Sequence, residues 1–502
     1  MLRYLFFLGI ALLSLLACDK DPFESSPSTG ELFFSKDTVF LDTIFTNISS
    51  STSAFKVYNR SGNNISIPSI RLGRGQNSFY RLNVNGESGK AFENVSVLSK
   101  DSIYVFIEAT IDFSQVTNPI YTDSIIFDQG VNQQDVKLVT LVQDAYFLYP
   151  KKDEQGIKEK IVLGENEDGE EISVDGFYLD GNQVWGNDKP YVIYGYAGVS
   201  QGNNLVIEKG ARIYFHANSG LLVEKNASLK IKGTLDEQVL MTGDRLESFY
   251  KDIAGQWGTI WLRAGSKNHE IDHTLIKNNA IGILMDSVGG NLEPTLRINN
   301  TEIYNTTNFG LLGRSAHISG SNLVIGNNGQ SSLACTLGGT YNFIHSTFAN
   351  YWSGSIREYP TVLVNNYQLV EGGILSNDLV AANFSNCIIE GNRNIEFLLD
   401  KSDEASFSFN FRNNLLRFDD VNGFYANDPL YDFDNINLYQ SNIFNGEADF
   451  KDINENDYLI GDESNANTKA FIPASEQVPF DILGVKRVLP ADIGAYQYVT
   501  FE

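Results

Sequence analysis

Ile271-Asp272-His273-Thr274-Leu275-Ile276 and Ile298-Asn299-Asn300-Thr301-Glu302-Ile303 share one frame: an apolar residue, a small polar residue three places on, and a second apolar residue two places after that. The frame returns as Ile318-Ser321-Leu323, Phe343-Ser346-Phe348, Phe384-Cys387-Ile389, Phe411-Asn414-Leu416 and Leu438-Ser441-Ile443, with steps between starts of 27, 20, 25, 41, 27 and 27 residues. Each period has room for about three short strands and their turns, the content of one coil of a right-handed parallel β-helix. Inward residues would then stack on their counterparts one rung of about 4.8 Å away. The position two after each start reads His273, Asn300, Gly320, His345, Asn386, Asn413 and Gln440, mostly types that tolerate a left-handed backbone, which predicts a sharp turn there. Just before the frame, Asn342, Asn383, Asn410 and Asn437 follow one another, which predicts an amide ladder.

Outward from this core, apolar pairs recur every eight to ten residues from Asn203 onward. The stretch 146–190, acidic from Gly164 to Glu171, reads as a connector whose Trp185 and Lys189-Pro190-Tyr191 would cap the first coil and hide its strand edges. Residues 191–498 resemble the pectate-lyase-like β-helix family. Asp492-Ile493-Gly494-Ala495-Tyr496 resembles the closing motif of bacterial β-helix surface proteins. That family carries lyases, hydrolases, adhesins and stalks alike, so the resemblance specifies scaffold rather than reaction.

Ahead of the repeat, residues 31–145 alternate short apolar runs with turn clusters, and Ser102-Ile103-Tyr104-Val105-Phe106-Ile107-Glu108 has period two. Roughly seven such runs predict a β-sandwich. Phe55-Lys56-Val57-Tyr58-Asn59 and Gln143-Asp144-Ala145 make it resemble the immunoglobulin-like domains at the front of Bacteroidetes surface lipoproteins, which implies a spacer. The predicted fold class is therefore all-β, a β-sandwich followed by a right-handed parallel β-helix.

Residues 1–17 read as a lipoprotein signal peptide: a single early Arg3, then an apolar run too short to span a bilayer. Leu15-Leu16-Ala17-Cys18 resembles a bacterial lipobox, which makes Cys18 the lipidated residue and the membrane a partner through that anchor. Asp19-Lys20-Asp21 resembles the acidic export tags of Bacteroidetes lipoproteins. Residues 18–30, with Ser25-Ser26-Pro27-Ser28-Thr29-Gly30, read as a tether. The expected address is the bacterial outer membrane, at the cell surface.

Of 502 residues, 37 are Lys or Arg and 62 are Asp or Glu, a net charge of −25 without any basic tract, which excludes a nucleic-acid partner. Cys335 and Cys387 have no metal-ligand spacing, so no cofactor is expected; calcium enters only with a lyase. A β-helix lyase needs a base, a cation and a basic side chain on one face. Arg263, Lys267 and Asp272 are the candidate catalytic residues, with Asp244, Arg245, Lys251, Asp252 and Lys277 nearby, but their frame positions differ. The 41-residue step inserts about 14 residues between Phe348 and Phe384 and brings Tyr351, Trp352 and Tyr359, with Arg357 and Glu358 as an adjacent charge pair. Aromatic faces take sugar C–H faces, so Tyr351, Trp352 and Tyr359 are the candidate ligand-binding residues. The acidic stretches at 400–404 and 449–462 read as solvated loops. The expected function is non-catalytic binding of polysaccharide or a surface protein; the alternative is a polysaccharide lyase or glycoside hydrolase.

Overall fold

The computed structural model describes residues 25–166, 168–286 and 293–501; Cys18, the leader and the first part of the tether lie outside the described residues. The chain is all-β with long parallel sheets, and Ile472–Gln477 is the sole α-helix among the described residues. Two compact units divide it, one up to Asp144 together with Leu246–Ser248, the other holding 145–245 and 249 onward.

In the first unit a six-stranded sheet and a five-stranded sheet share one core. Period-two patterning decides which side chains enter it. Along Ser102–Ala109, Ile103, Val105, Ile107 and Ala109 are buried, while Tyr104 and Phe106 stand in solvent.

In the second unit the chain returns parallel to itself at each period, and two inward columns run its length. One climbs from Trp185 through Ile207, Ile231, Ile271, Ile298, Gly320, Phe343, Phe384 and Phe411 to Tyr439. The other runs from Tyr191 through Ile213, Met241, Ile276, Ile303 and Ile325 to Phe348, Ile389, Leu416 and Phe444. Both columns belong to one continuous hydrophobic core. Strands from 146–190 take part in this pairing: Tyr146–Leu148 lies parallel to Tyr191–Ile193, and Trp185 is the first rung of the first column.

Two frame members move. Ile298 stacks on Gly320, not Ile318, and Phe411 stacks on Tyr439, not Leu438. The left-handed turn residues are accordingly His273, Asn300, Asn322, His345, Asn386, Asn413 and Ser441, with φ between 42° and 56°. Gly320 and Gln440 are not among them. The cause at Gly320 is volume: a Cβ there would lie 2.8 Å from Leu323 Cδ1 and 3.0 Å from Phe343 Cδ1, so the Phe343 ring takes the space of the missing side chain. Gly320→Ile, which restores the apolar repeat, is therefore expected to destabilise the unit by about 1–3 kcal/mol through overpacking, read in a denaturant melt. The amide ladder also shrinks to one side-chain bond, Asn383 Nδ2 to Asn342 Oδ1 at 2.7 Å, because the shift at Tyr439 leaves Asn410 bonding the Asn437 carbonyl instead.

The C-terminal segment does not close the end of the column. It lies along the outer face of the eleven-stranded sheet, where Tyr458, Ile482, Ala495 and Tyr496 cover Tyr304, Val324 and Ala349, and Ile460, Ala466 and Ile493 cover Ile388 and Leu415. The turn column is its docking strip. Asn322 Nδ2 donates to the Phe480 carbonyl at 2.9 Å, Asn386 Nδ2 to Phe471 at 3.1 Å, and Asn413 Nδ2 to Lys469 at 2.8 Å. These asparagines thus supply both a left-handed bend and the donors that satisfy a covering layer. Gly494, at φ 100°, bonds through its N–H to the Asn386 carbonyl at 2.9 Å, and any side chain there would meet Ile388 Cδ1 at 2.7 Å.

A candidate acidic cleft beside the C-terminal layer

The column just outside the second inward one reads Lys277, Tyr304, Gly326, Ala349 and Glu390. Tyr458 covers Gly326 and Ala349, and the cover thins at Glu390. There a cleft of about 630 Å³ opens, lined by Tyr351, Glu390, Arg417, Glu447, Asp449 and Lys451 among others.

Glu390 is 5% exposed on strand Ile388–Gly391. Its Oε1 lies 3.1 Å from an Arg417 guanidinium nitrogen, and its Oε2 has no hydrogen-bond partner. Burial raises its pKa to about 7 against the opposing pull of Arg417, so at neutral pH the carboxyl is partly protonated. Asp449, half-buried, and Asp452, exposed, of the acidic stretch line the cleft.

The sign of the linkage follows from that shift. The Glu390 contribution to stability is fully present below pH 4.5 and is lost as pH rises through 7. Its size is on the order of 3 kcal/mol. Melts of Glu390→Gln across this range are expected to lack that part of the pH slope and to match or exceed wild type at pH 8.

The sequence candidates fall elsewhere. Arg263 sits between Glu224, at 2.8 Å, and the carbonyls of Val162 and Leu163. One rung on, Asp286 takes the Trp261 indole N–H at 2.7 Å and pairs with Arg314 at 2.5 Å. Glu224, Arg263, Asp286 and Arg314 thus follow the strand ends Val223, Leu262, Met285 and Gly313 on successive rungs, alternating in sign. Glu208, Lys232 and Asp272 alternate likewise in a neighbouring column, and Asp272 accepts from Asn300 Nδ2 at 2.9 Å. Such cross-strand pairs stabilise neighbouring rungs and leave little charge for chemistry. Lys267 is exposed, and its backbone N–H bonds the Ala227 carbonyl. No contact unites Arg263, Lys267 and Asp272 among the described residues. Asp244 pairs with His216 at 2.8 Å, and Lys277 with Asp252 at 3.6 Å.

The aromatic insertion divides into a loop at 351–360 and a hairpin pairing Tyr367–Val370 with Gly373–Ser376. Tyr351 is half-buried, packs on Tyr458 and Phe450, and lines the cleft. The Trp352 indole N–H bonds Ser355 Oγ at 3.0 Å, and Tyr359 is 40% exposed; neither lines the cleft. Arg357 is not the partner of Glu358. It is buried and pairs with Glu396 through both carboxylate oxygens, at 2.6 and 2.8 Å. Cys335 and Cys387 are both free and buried, and among the described residues no cluster of three His, Cys, Asp or Glu is arranged to hold a metal ion.

Glu390 escaped the sequence reading because a lone Glu in Ile388-Ile389-Glu390-Gly391 matches no motif. The available signal was its column: one place after the closing apolar residue, five of the seven frames read Lys277, Tyr304, Ala349, Glu390 and Arg417, and the last two form a charge pair one period apart.

The chain matches no protein-family model and no curated protein. Among solved structures it is similar, at 10% identity and a TM-score of 0.17, to part of a family 123 glycoside hydrolase from Clostridium perfringens studied for glycolipid glycan hydrolysis. That match covers 22% of this chain and 26% of the other.

Proposed function

We propose that the protein is a lipid-anchored bacterial surface protein of the outer membrane, in which an immunoglobulin-like β-sandwich carries a right-handed parallel β-helix of the pectate-lyase-like kind, and that the β-helix cleaves glycosidic bonds in the Glu390 cleft. The address rests on the leader and on Leu15-Leu16-Ala17-Cys18. Support for the scaffold comes from the two inward columns and their parallel register. The chemistry rests on one observation: a buried carboxyl with a pKa of about 7 and a free oxygen, facing a cleft with further carboxylates.

In this reading Glu390 donates its proton to the glycosidic oxygen as the C–O bond breaks, and Arg417 fixes its Oε1. A water adds to the sugar carbon and passes its proton to Asp449. One carboxyl group to protonate the leaving oxygen and a second carboxylate to take the water's proton are what such a displacement requires. A second reading, non-catalytic glycan binding, is favoured by Arg417 already occupying one Glu390 oxygen and by the cross-rung pairing of the other candidate charges.

The test is to run the soluble chain from Asp19 through native gels cast with acidic and neutral polysaccharides and to assay the mixtures for reducing ends. New ends are expected, reduced about 100-fold or more in Glu390→Gln. Retardation with no new ends from any polysaccharide would leave the binding reading and remove the hydrolytic one.

A further inference from the structure

The five-stranded sheet of the first unit has an outward face unrelated to the cleft. Tyr104 and Phe106 are 48% and 40% exposed, two places apart on strand Ser102–Ala109. Their rings lie 5.7 Å apart with planes 21° from parallel, and together they form an exposed aromatic step. The cross-strand partners are Lys56 opposite Tyr104 and Asn83 opposite Phe106. Beside Phe106 is a cleft of about 560 Å³ whose walls include Thr52, Arg81, Asn83, Ser88, Lys90 and Glu108.

The charges of this face are unequal. Glu108 is neutralised by Arg81 at 3.0 Å and accepts from Thr52 at 2.6 Å. Lys56 stands over the Tyr104 ring at 4.8 Å, and Lys90 bonds only backbone carbonyls, those of Gln76 and Ser78. Among the described residues neither lysine has a carboxylate at ion-pair distance. A chain of net charge −25 thus presents two lysines without an ion-pair partner on this face, Asp101 acting on Lys56 only at longer range, and repulsion from more distant carboxylates is screened beyond about 8 Å at physiological salt.

We propose that this face is a second, non-catalytic glycan site for an extended polysaccharide bearing carboxylates, with sugar rings laid on Tyr104 and Phe106 and uronate groups at Lys56 and Lys90. Flat aromatic rings offer C–H stacking, the amide and hydroxyls of Asn83, Ser88 and Thr52 offer partners for sugar hydroxyls, and the lysines select the anion. The site stands whether or not Glu390 hydrolyses anything.

The soluble chain is run in gels cast with polygalacturonate, alginate or a neutral β-glucan, at low and high salt. Wild type is expected to be retarded by the polyuronates, less so at high salt. Tyr104→Ala/Phe106→Ala should weaken that retardation about tenfold in dissociation constant with an unchanged melting profile. Lys56→Ala/Lys90→Ala should remove most of the salt sensitivity, with or without Glu390→Gln in the same chain. Wild type moving freely through both polyuronates would overturn the inference. So would an aromatic double variant retarded like wild type; if Glu390→Gln alone then loses retardation, the cleft reading survives while this one fails.

Discussion

Alanine in place of Glu396 is expected to destabilise the C-terminal unit by about 3–5 kcal/mol, because it strands the buried Arg357 guanidinium without its counter-charge. The carboxylate carries more than that pair. It accepts from the Thr361 backbone N–H at 2.9 Å, the Thr361 hydroxyl at 2.8 Å and the Arg393 backbone N–H at 2.7 Å. Arg357 in turn donates to the Asn350 carbonyl and to Asn392, so the knot ties the 351–360 loop to strands on either side of it. A lower thermal midpoint should accompany faster tryptic cleavage at Arg357, since the loop loses its internal anchor. Arg357→Met/Glu396→Gln removes both charges and keeps an acceptor oxygen for the Thr361 and Arg393 donors, and it should recover part of the loss. A Glu396→Ala protein that melts and digests like wild type would mean that the ion pair does not hold the loop.

Phe384→Ala is the second large effect, at about 3–5 kcal/mol. Phe384 is fully buried, stacks on Phe411 with centroids 4.9 Å apart and planes 6° from parallel, and touches Phe343 at 5.5 Å. Rungs contact only their neighbours, so the cavity weakens the stack on both sides of it and cannot be filled by a distant shift. Hydrogen exchange should report the loss as faster exchange across strands Leu333–Ile344, Leu379–Ser385 and Phe407–Arg412, with strands near Ile213 unchanged. Phe384→Leu, which keeps most of the volume, should cost clearly less. Uniform acceleration along the whole unit would instead point to all-or-none unfolding.

The repeat is legible in sequence because inward positions must be apolar at a constant offset, and it fails where volume is borrowed from another rung. Gly320 breaks the apolar pattern because the Phe343 ring supplies its bulk, so Ile318, also buried, imitates the frame two residues early. The asparagine turns are legible as left-handed backbone, whereas their second role is not, since Asn322 bonds to Phe480, 158 residues away. The cleft is hidden for the same reason. The burial that shifts Glu390 depends on where a layer from the far end of the chain comes to rest, and no local pattern records that. The alternating charges around Arg263 looked like chemistry because a ladder across rungs appears in sequence as scattered ions.

The lateral course of the C-terminal layer also sets an order of events. Its partners, from Tyr304 to Leu415, are complete only when the rungs beneath them have formed, so residues after Ala448 cannot dock on a partial stack. As it folds the chain can therefore wind up step by step, while the final segment acts as a latch that shuts over the completed rungs. Contacts of such long sequence separation form late and hold the finished molecule against unwinding.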